Sequence, residues 1–249
     1  MEFFYHKAMS VLYLLGDSTC AIKREDARPE TGWGEEFQSY VKDGWIVDNR
    51  AINGRSTKSF IDEGNFDSIL EVADFGDSAI IQFGHNDSKL DKERHTDPFG
   101  SYVSNLDYMA DKLKAKGVSV YFATSIARRQ FDERGVIKQT HGEYPFAMHY
   151  AAFKSSVPCI DMTTTTMVEL QKLGDEESKK YFMNLEKGIY PNYPDGKLDN
   201  THLTPKGAKW IARLVARELS LLSIRPEFLR SDISYDRHFE DVAKLELAD

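Results

Sequence analysis

Gly16-Asp17-Ser18-Thr19 closes the apolar run Val11-Leu12-Tyr13-Leu14-Leu15, and far along the chain Asp199-Asn200-Thr201-His202 sets a carboxylate and an imidazole three residues apart. A serine hydroxyl attacks a carbonyl once a base takes its proton, and that base needs an acid to fix its tautomer and stabilise the imidazolium. Ser18, His202 and Asp199 are the residue types for those roles, and the i, i+3 spacing lets the last two meet within one turn. The tetrahedral anion formed by such an attack needs donors fixed beforehand. The backbone N–H of Ser18, the N–H of Gly54 in Asn53-Gly54-Arg55-Ser56 and the side-chain amide of Asn86 in Gly84-His85-Asn86-Asp87 are the candidates. Each feature alone has a plainer explanation. Asp17 and Ser18 can cap a helix, Gly54 can serve a turn, Asn86 can cap a loop, and Asp199 with His202 can brace the last helix. The chemical reading gains weight only if the fold gathers all of them at one place.

The elements that would do so alternate along the chain. Val11–Leu15 reads as a buried first strand that runs directly into the Ser18 turn. A short amphipathic helix from Gly32 to about Lys42 is predicted from Trp33, Phe37, Tyr40 and Val41, followed by a second strand at Trp45–Asn49 and a helix from near Thr57. A helix around Asp67–Ala73 precedes Ser78–Phe83, which lacks polar alternation until Gln82 and so fits a strand covered on both faces. A long helix at about Phe99–Lys116, stopped by Gly117, leads to strand four at Val118–Ala123. A helix near Tyr144–Ser155, strand five at Val157–Asp161, and helices at about Thr163–Leu173 and Asp175–Met183 come next. Asn184–His202, rich in Gly, Pro, Asn and Asp, reads as loop. Thr204-Pro205 is an N-cap with proline at the first helical position, opening a helix to about Leu221.

This alternation predicts an α/β fold, a three-layer flavodoxin-like sandwich whose five-stranded parallel sheet has the order 2-1-3-4-5 with helices on both faces. The loops after strands one and three then end together beside the reversal of strand order, where ligands of open α/β sheets collect. No linker or repeat divides the chain, so the expectation is one domain over 1–249, with its core at about 11–222 and a polar C-terminal tail at 223–249.

Composition narrows the partners. The 249 residues carry a net charge of −8, with 29% charged and 41% hydrophobic residues. An acidic balance disfavours nucleic acid, no run has membrane-spanning length, and the start of the chain offers no apolar leader, which predicts a cytoplasmic protein. Two cysteines, Cys20 and Cys159, are too few for a disulfide scaffold and read as buried free thiols. Cys20 lies two residues from Ser18, but its side chain should point away from the hydroxyl. No histidine pair has zinc-ligand spacing, and no glycine-rich loop of a phosphate-binding type is present. Trp33 stands early enough to reach the mouth of the site. His85 reads as a surface histidine, a support to the site or a contact to substrate. Arg55, Arg128 and Arg129 are candidate forks for a uronic-acid carboxylate, although an ordinary solvated ion pair explains each as well.

Gly16-Asp17-Ser18-Thr19, Gly54, Gly84-His85-Asn86-Asp87 and Asp199-Asn200-Thr201-His202 together resemble the four sequence blocks of the SGNH (GDSL) hydrolases. Gly32-Trp33-Gly34 and Phe83-Gly84-His85-Asn86-Asp87 are most similar to the versions in rhamnogalacturonan acetylesterases. The resemblance spans roughly residues 11 to 220. It implies a Ser18-His202-Asp199 triad, an oxyanion hole of Ser18, Gly54 and Asn86, and hydrolysis of acetyl esters on sugars without metal or organic cofactor. One departure is Asn53, where close relatives often carry glycine. The implied activity is that of a serine esterase on acetylated oligosaccharides. Alternatives are a lipase or thioesterase of broader acyl range and a carbohydrate-binding homologue with an idle site.

Overall fold

The computed structural model describes residues 9–233; the stretch before Met9 and the part of the expected tail beyond Ile233 lie outside the described residues. β1 (Ser10–Gly16) runs through the middle of a five-stranded sheet and pairs in parallel with β2 (Trp45–Asn49) on one side and β3 (Ser78–Gln82) on the other. β4 (Ser119–Ala123) and β5 (Cys159–Ile160) complete the order 2-1-3-4-5. Leu14 pairs with Ile80 and Gly16 with Gln82, so β1 and β3 stop side by side. Their following loops therefore open onto the same edge.

Strand periodicity divides the core into two layers. Leu12 and Leu14 of β1, with Ile80, Tyr121 and Ala123, face Trp33 and Phe37 and the helix α6 (Pro205–Ser220), which contributes Ile211, Val215 and Leu219. Tyr13 and Leu15 point the other way, with Ala79, Ile81, Val120 and Phe122. They meet α2 (Asn65–Val72), α3 (Val103–Ala115) and α4 (Tyr144–Ser155), the last of which has the predicted bounds. Burial of a large apolar side chain stabilises by about 1.5–3 kcal/mol, so these two layers rather than any local propensity hold the helices in place. α1 (Thr57–Asp62) is short and is capped by Ser56, whose side chain accepts the N–H of Ser59.

Several elements differ from expectation. The segment over Trp33–Tyr40 is a 3-10 helix. It is clamped by close backbone approach at both glycines: a Cβ on Gly32 would fall 2.1 Å from the Ala21 carbonyl oxygen, and one on Gly34 would fall 2.4 Å from Asn49 Nδ2. The long helix expected from Phe99 begins as α3 only at Val103, after an irregular turn kinked at Gly100. The two helices expected at Thr163–Leu173 and Asp175–Met183 are one element, α5 (Met162–Ser178), broken at Gly174, where φ is 77°. Met183 belongs to a strand, β6 (Phe182–Leu185), and the supposed loop 184–202 contains its antiparallel partner β7 (Lys197–Leu203). β7 is polar along nearly its whole length and buries only Leu203 fully, which is why its strand character is hidden in composition. The start of the tail is not simply polar surface. Phe228 and Leu229 are buried, with Phe228 against Trp45 and Tyr121, and Leu229 bridges to Val41. Cys20 is buried, whereas Cys159 is only partly so, and both are free thiols. No helix among the described residues is long and apolar enough to cross a membrane.

Candidate active site

β1 delivers the chain to Gly16 at the sheet edge, and the next residues coil into a turn in which the N–H groups of Cys20 and Ala21 both donate to the Asp17 carbonyl. Asp17 is fully buried beneath this turn. Its carboxylate accepts the N–H and the hydroxyl of Thr19, each at 2.9 Å, and lies 3.1 Å from His85 Nδ1. Burial alone would raise the Asp17 carboxyl, but the His85 charge and the bonds from His85 and Thr19 outweigh it and hold the group at about 2. With Asp17 anchored inward, Ser18 is left at the surface of the turn, half-buried.

The hydroxyl of Ser18 meets a histidine from the other end of the chain. Ser18 Oγ lies 3.0 Å from His202 Nε2, and His202 Nδ1 lies 2.8 Å from Asp199 Oδ2. β7 supplies both of these partners just before α6, whose N-cap Thr204 accepts the Gly207 N–H. The other oxygen of Asp199 accepts the N–H groups of Thr201 at 2.9 Å and His202 at 3.0 Å, which fixes the carboxylate plane. Burial pushes the Asp199 carboxyl up, yet the bond and charge of His202 with these two N–H groups hold it well below the usual carboxylate range. The arrangement can pass a proton from a hydroxyl to an imidazole whose far side rests on an ionised acid.

Gly54 occupies a left-handed turn with φ of 77°, a conformation that disfavours a side chain. Asn86 Nδ2 donates at 3.1 Å to the carbonyl of Arg55, the residue after Gly54, which ties the loop following β3 to the turn following β2. Among the described residues the N–H groups of Ser18 and Gly54 donate to no protein acceptor. An amide carries two hydrogens, so Asn86 retains one after bonding Arg55.

The residues expected to contact substrate fare differently. Trp33 is wholly buried, with its indole Nε1 donating to Gln82 Oε1 at 2.8 Å, so it is removed from the mouth of the site. His85 is also buried, committed to Asp17. Arg129 is buried too, and its fork is used internally: one arm donates to Asn200 Oδ1 at 2.7 Å and the other to Asp175 Oδ1 at 2.5 Å. It braces β7 rather than facing a ligand. Arg128 donates to the carbonyl and hydroxyl of Thr140 and to the His85 carbonyl. Of the five, only Arg55 keeps a side chain more than a third exposed, and it pairs with Glu63 at 2.9 Å.

Two groups at the site carry no mark in the sequence. His141, on the loop after β4, is buried edge-on against His85 with ring centroids 4.5 Å apart, and neither of its ring nitrogens has a hydrogen-bond partner. Burial, with help from the His85 and Arg128 charges, lowers it to about 2. Lys23, on the loop after β1, is buried and donates to the Ser18 carbonyl. A lone lysine in a loop gives no signal of this, because the inward fold of the loop decides whether its side chain is buried. No group of three or more His, Cys, Asp or Glu side chains among the described residues is arranged to hold a metal ion.

The model of the GDSL-like lipase/acylhydrolase family matches residues 14–210, a span that includes Ser18, Gly54, Asn86, Asp199 and His202. Among curated proteins, the rhamnogalacturonan acetylesterase RhgT of Bacillus subtilis (strain 168) is 42% identical over 213 residues, covering 86% of this chain and 90% of that protein. The probable rhamnogalacturonan acetylesterase YesY of the same organism is 34% identical, covering 86% of this chain and 94% of that protein. Among solved structures, Bacillus subtilis YxiM superposes with a TM-score of 0.72 at 24% identity. That match covers 85% of this chain and 56% of the YxiM chain, so this chain spans little more than half of that structure.

Proposed function

This chain belongs to the GDSL-like lipase/acylhydrolase family, and on that premise we propose that it is a serine esterase that removes acetyl groups from carbohydrate, with rhamnogalacturonan-derived oligosaccharides as substrate. Family membership makes it a carboxylic ester hydrolase. The acetyl and sugar specificity rests on the similarity to two Bacillus proteins carrying those names. The observation that carries the mechanism is the unbroken contact from Ser18 Oγ through His202 to Asp199.

In this reading Ser18 Oγ attacks the acetyl carbonyl carbon while its proton passes to His202 Nε2. Asp199 stays ionised and stabilises the imidazolium. The carbonyl oxygen becomes an oxyanion, taken up by the N–H groups of Ser18 and Gly54 and the free amide hydrogen of Asn86. Collapse breaks the ester bond, the sugar oxygen leaves with the proton from His202, and the acetyl group remains on Ser18. Water then gives a proton to His202, attacks the acetyl carbon and releases acetate with Ser18 restored.

Acetate release should be measured across acetylated rhamnogalacturonan, xylan and their oligosaccharides, beside acetyl and octanoyl 4-nitrophenyl esters. The expected result is preference for acetyl over octanoyl, fastest release from rhamnogalacturonan material, and loss of turnover in Ser18→Ala. Equal turnover by Ser18→Ala would remove the nucleophile, and preference for octanoyl would replace the acetylesterase with a longer-chain acylhydrolase.

A further inference from the structure

We propose that Lys23, Glu30 and Lys197 are positioning residues that close a ring of charges from the acid beside His202 back to the carbonyl of Ser18, so that base and nucleophile are held and tuned as one unit. The inference rests on the Ser18-His202-Asp199 reading and extends it to three groups outside that set.

The ring can be followed atom by atom. Asp199 Oδ2, which meets His202 Nδ1, also lies 3.2 Å from Lys197 Nζ. Lys197 Nζ is 3.3 Å from Glu30 Oε2, and the other oxygen of Glu30 is 2.9 Å from Lys23 Nζ. Lys23 Nζ donates in turn to the Ser18 carbonyl and, at 2.7 Å, to Asn53 Oδ1. Ser18 Oγ returns to His202 and closes the circuit. An ammonium has three donors, and those of Lys23 have three acceptors: a carboxylate, the carbonyl of the nucleophile and the side chain next to Gly54.

Burial makes this costly unless it is organised. The Lys23 side chain is 1% exposed and that of Glu30 is 10% exposed. A lysine taken out of water needs a paired anion and satisfied protons. Burial would raise the Glu30 carboxyl, but the charges of His202, Lys23 and Lys197 keep it below its ordinary value. At rest the ring holds two cations, Lys23 and Lys197, against two anions, Glu30 and Asp199. When His202 accepts the serine proton a third positive charge arrives, and Glu30 and Asp199 are the anions facing it. Asn53 gains a role here: its side chain gives Lys23 a handle on the turn that presents the Gly54 N–H.

Two separable effects follow. Lys23 holds the Ser18 carbonyl and Asn53 together, a geometric duty. Glu30 and Lys197 bias protonation of His202 in opposite directions, an electrostatic one. The charged and titratable groups around His202 are Asp199 and Lys197 from β7, Lys23 and Glu30 from the loop after β1, and the buried Asp17–His85 pair behind Ser18, with the Tyr193 ring 5.1 Å from Lys197.

The test is the pH profile of kcat/KM, whose acid limb reports loss of the base. It should be recorded on the full chain for Glu30→Gln, Lys197→Met, Lys197→Arg, Lys23→Met and Lys23→Arg, with Ser18→Ala and His202→Ala as controls. Removing the anion at Glu30 should move the acid limb to lower pH, and removing the cation at Lys197 should move it to higher pH, each by about half a unit. Lys197→Arg should restore the wild-type limb. Lys23→Met should lower kcat by about 10–100-fold with KM within about threefold, and Lys23→Arg should recover part of it. An unmoved limb in Lys197→Met overturns the ring as an electrostatic unit; its side chain is 27% exposed, so this variant decides the matter even if Glu30→Gln or Lys23→Met fails to fold. Equal shifts of one sign in Glu30→Gln and Lys197→Met overturn it as well. If those limbs do not move while Ser18→Ala and His202→Ala are inactive, the ring fails and the triad stands. Activity in both controls removes the triad, and the ring with it.

Discussion

His85 Nδ1 stands 3.1 Å from Asp17 Oδ2, joining the turn that ends β1 to the turn that ends β3 through two side chains hidden from solvent. One of these turns carries Ser18 and the other carries Asn86, so this contact sets the separation between the hydroxyl and the amide without touching a substrate. It also makes the neighbourhood of the site sensitive to acid.

For Asp17 the sign is fixed by a carboxyl held at about 2 in the folded chain against an ordinary 3.8. The stabilisation is fully present above about pH 4 and is lost as pH falls through about 2, because the unfolded chain binds the proton first. Urea unfolding at a series of pH values should show wild type losing roughly 2 kcal/mol more than Asp17→Asn between pH 5 and 2. Parallel curves for the two proteins would refute this.

His141 acts with the same sign over a different window. Its folded value of about 2 lies below the ordinary 6.5, so the unfolded chain takes up a proton that the folded chain refuses. Stability should fall below about pH 6.5 with a one-proton slope of about 1.4 kcal/mol per pH unit. His141→Phe removes this slope and should be more stable than wild type at pH 5 than at pH 8, as read by denaturant midpoints.

Asp199→Asn keeps the shape but turns an acceptor into a group with donors facing His202 Nδ1. By the tautomer argument kcat should fall by about 10⁴-fold with a native circular dichroism spectrum. A decrease under tenfold would show that His202 does not depend on Asp199 for its orientation.

Asn86→Ala deletes one oxyanion donor and also the bond to the Arg55 carbonyl. A fall of about 10²–10³-fold in kcat is expected. A change below about threefold in 4-nitrophenyl acetate turnover would exclude Asn86 from the oxyanion hole.

Trp33→Phe tests the internal placement of the indole. Gln82 Oε1 would lose its donor inside the core, at a cost of about 1–3 kcal/mol in unfolding free energy. KM for an acetylated oligosaccharide should not change, since Trp33 has no exposed surface. A large rise in KM with unchanged stability would return the residue to the substrate cleft.

Legibility in the sequence followed burial. β1 and β3 are covered on both faces, and their unbroken apolar runs, with the alternation of strands and helices, were enough to order the sheet as 2-1-3-4-5. The short motifs at Ser18, Gly54 and Asn86 were legible because they follow strands that this order brings to one edge, whereas His202, on the separate ribbon, was marked only by its three-residue spacing from Asp199. β7 itself was not legible, since a two-stranded ribbon needs only backbone pairing and its side chains stay polar. Arg129 was misread for a different reason. Its residue type advertises a carboxylate partner, but whether that partner is a ligand or the protein's own Asp175, 46 positions away, is decided by tertiary structure. Lys23 and Glu30 were hidden likewise, as charged residues in a loop that happens to fold inward.

The β6–β7 ribbon separates Ser18, Gly54 and Asn86 from Asp199 and His202 by a surface connection, residues 186–196. A single cut there divides the chain into two pieces that each lack what the other holds, the longer keeping the attacking hydroxyl and the shorter keeping the proton acceptor. Ester cleavage in such a nicked protein would then require α6 to stay docked on Trp33 and Phe37, which makes turnover a gauge of fragment complementation across that helix interface.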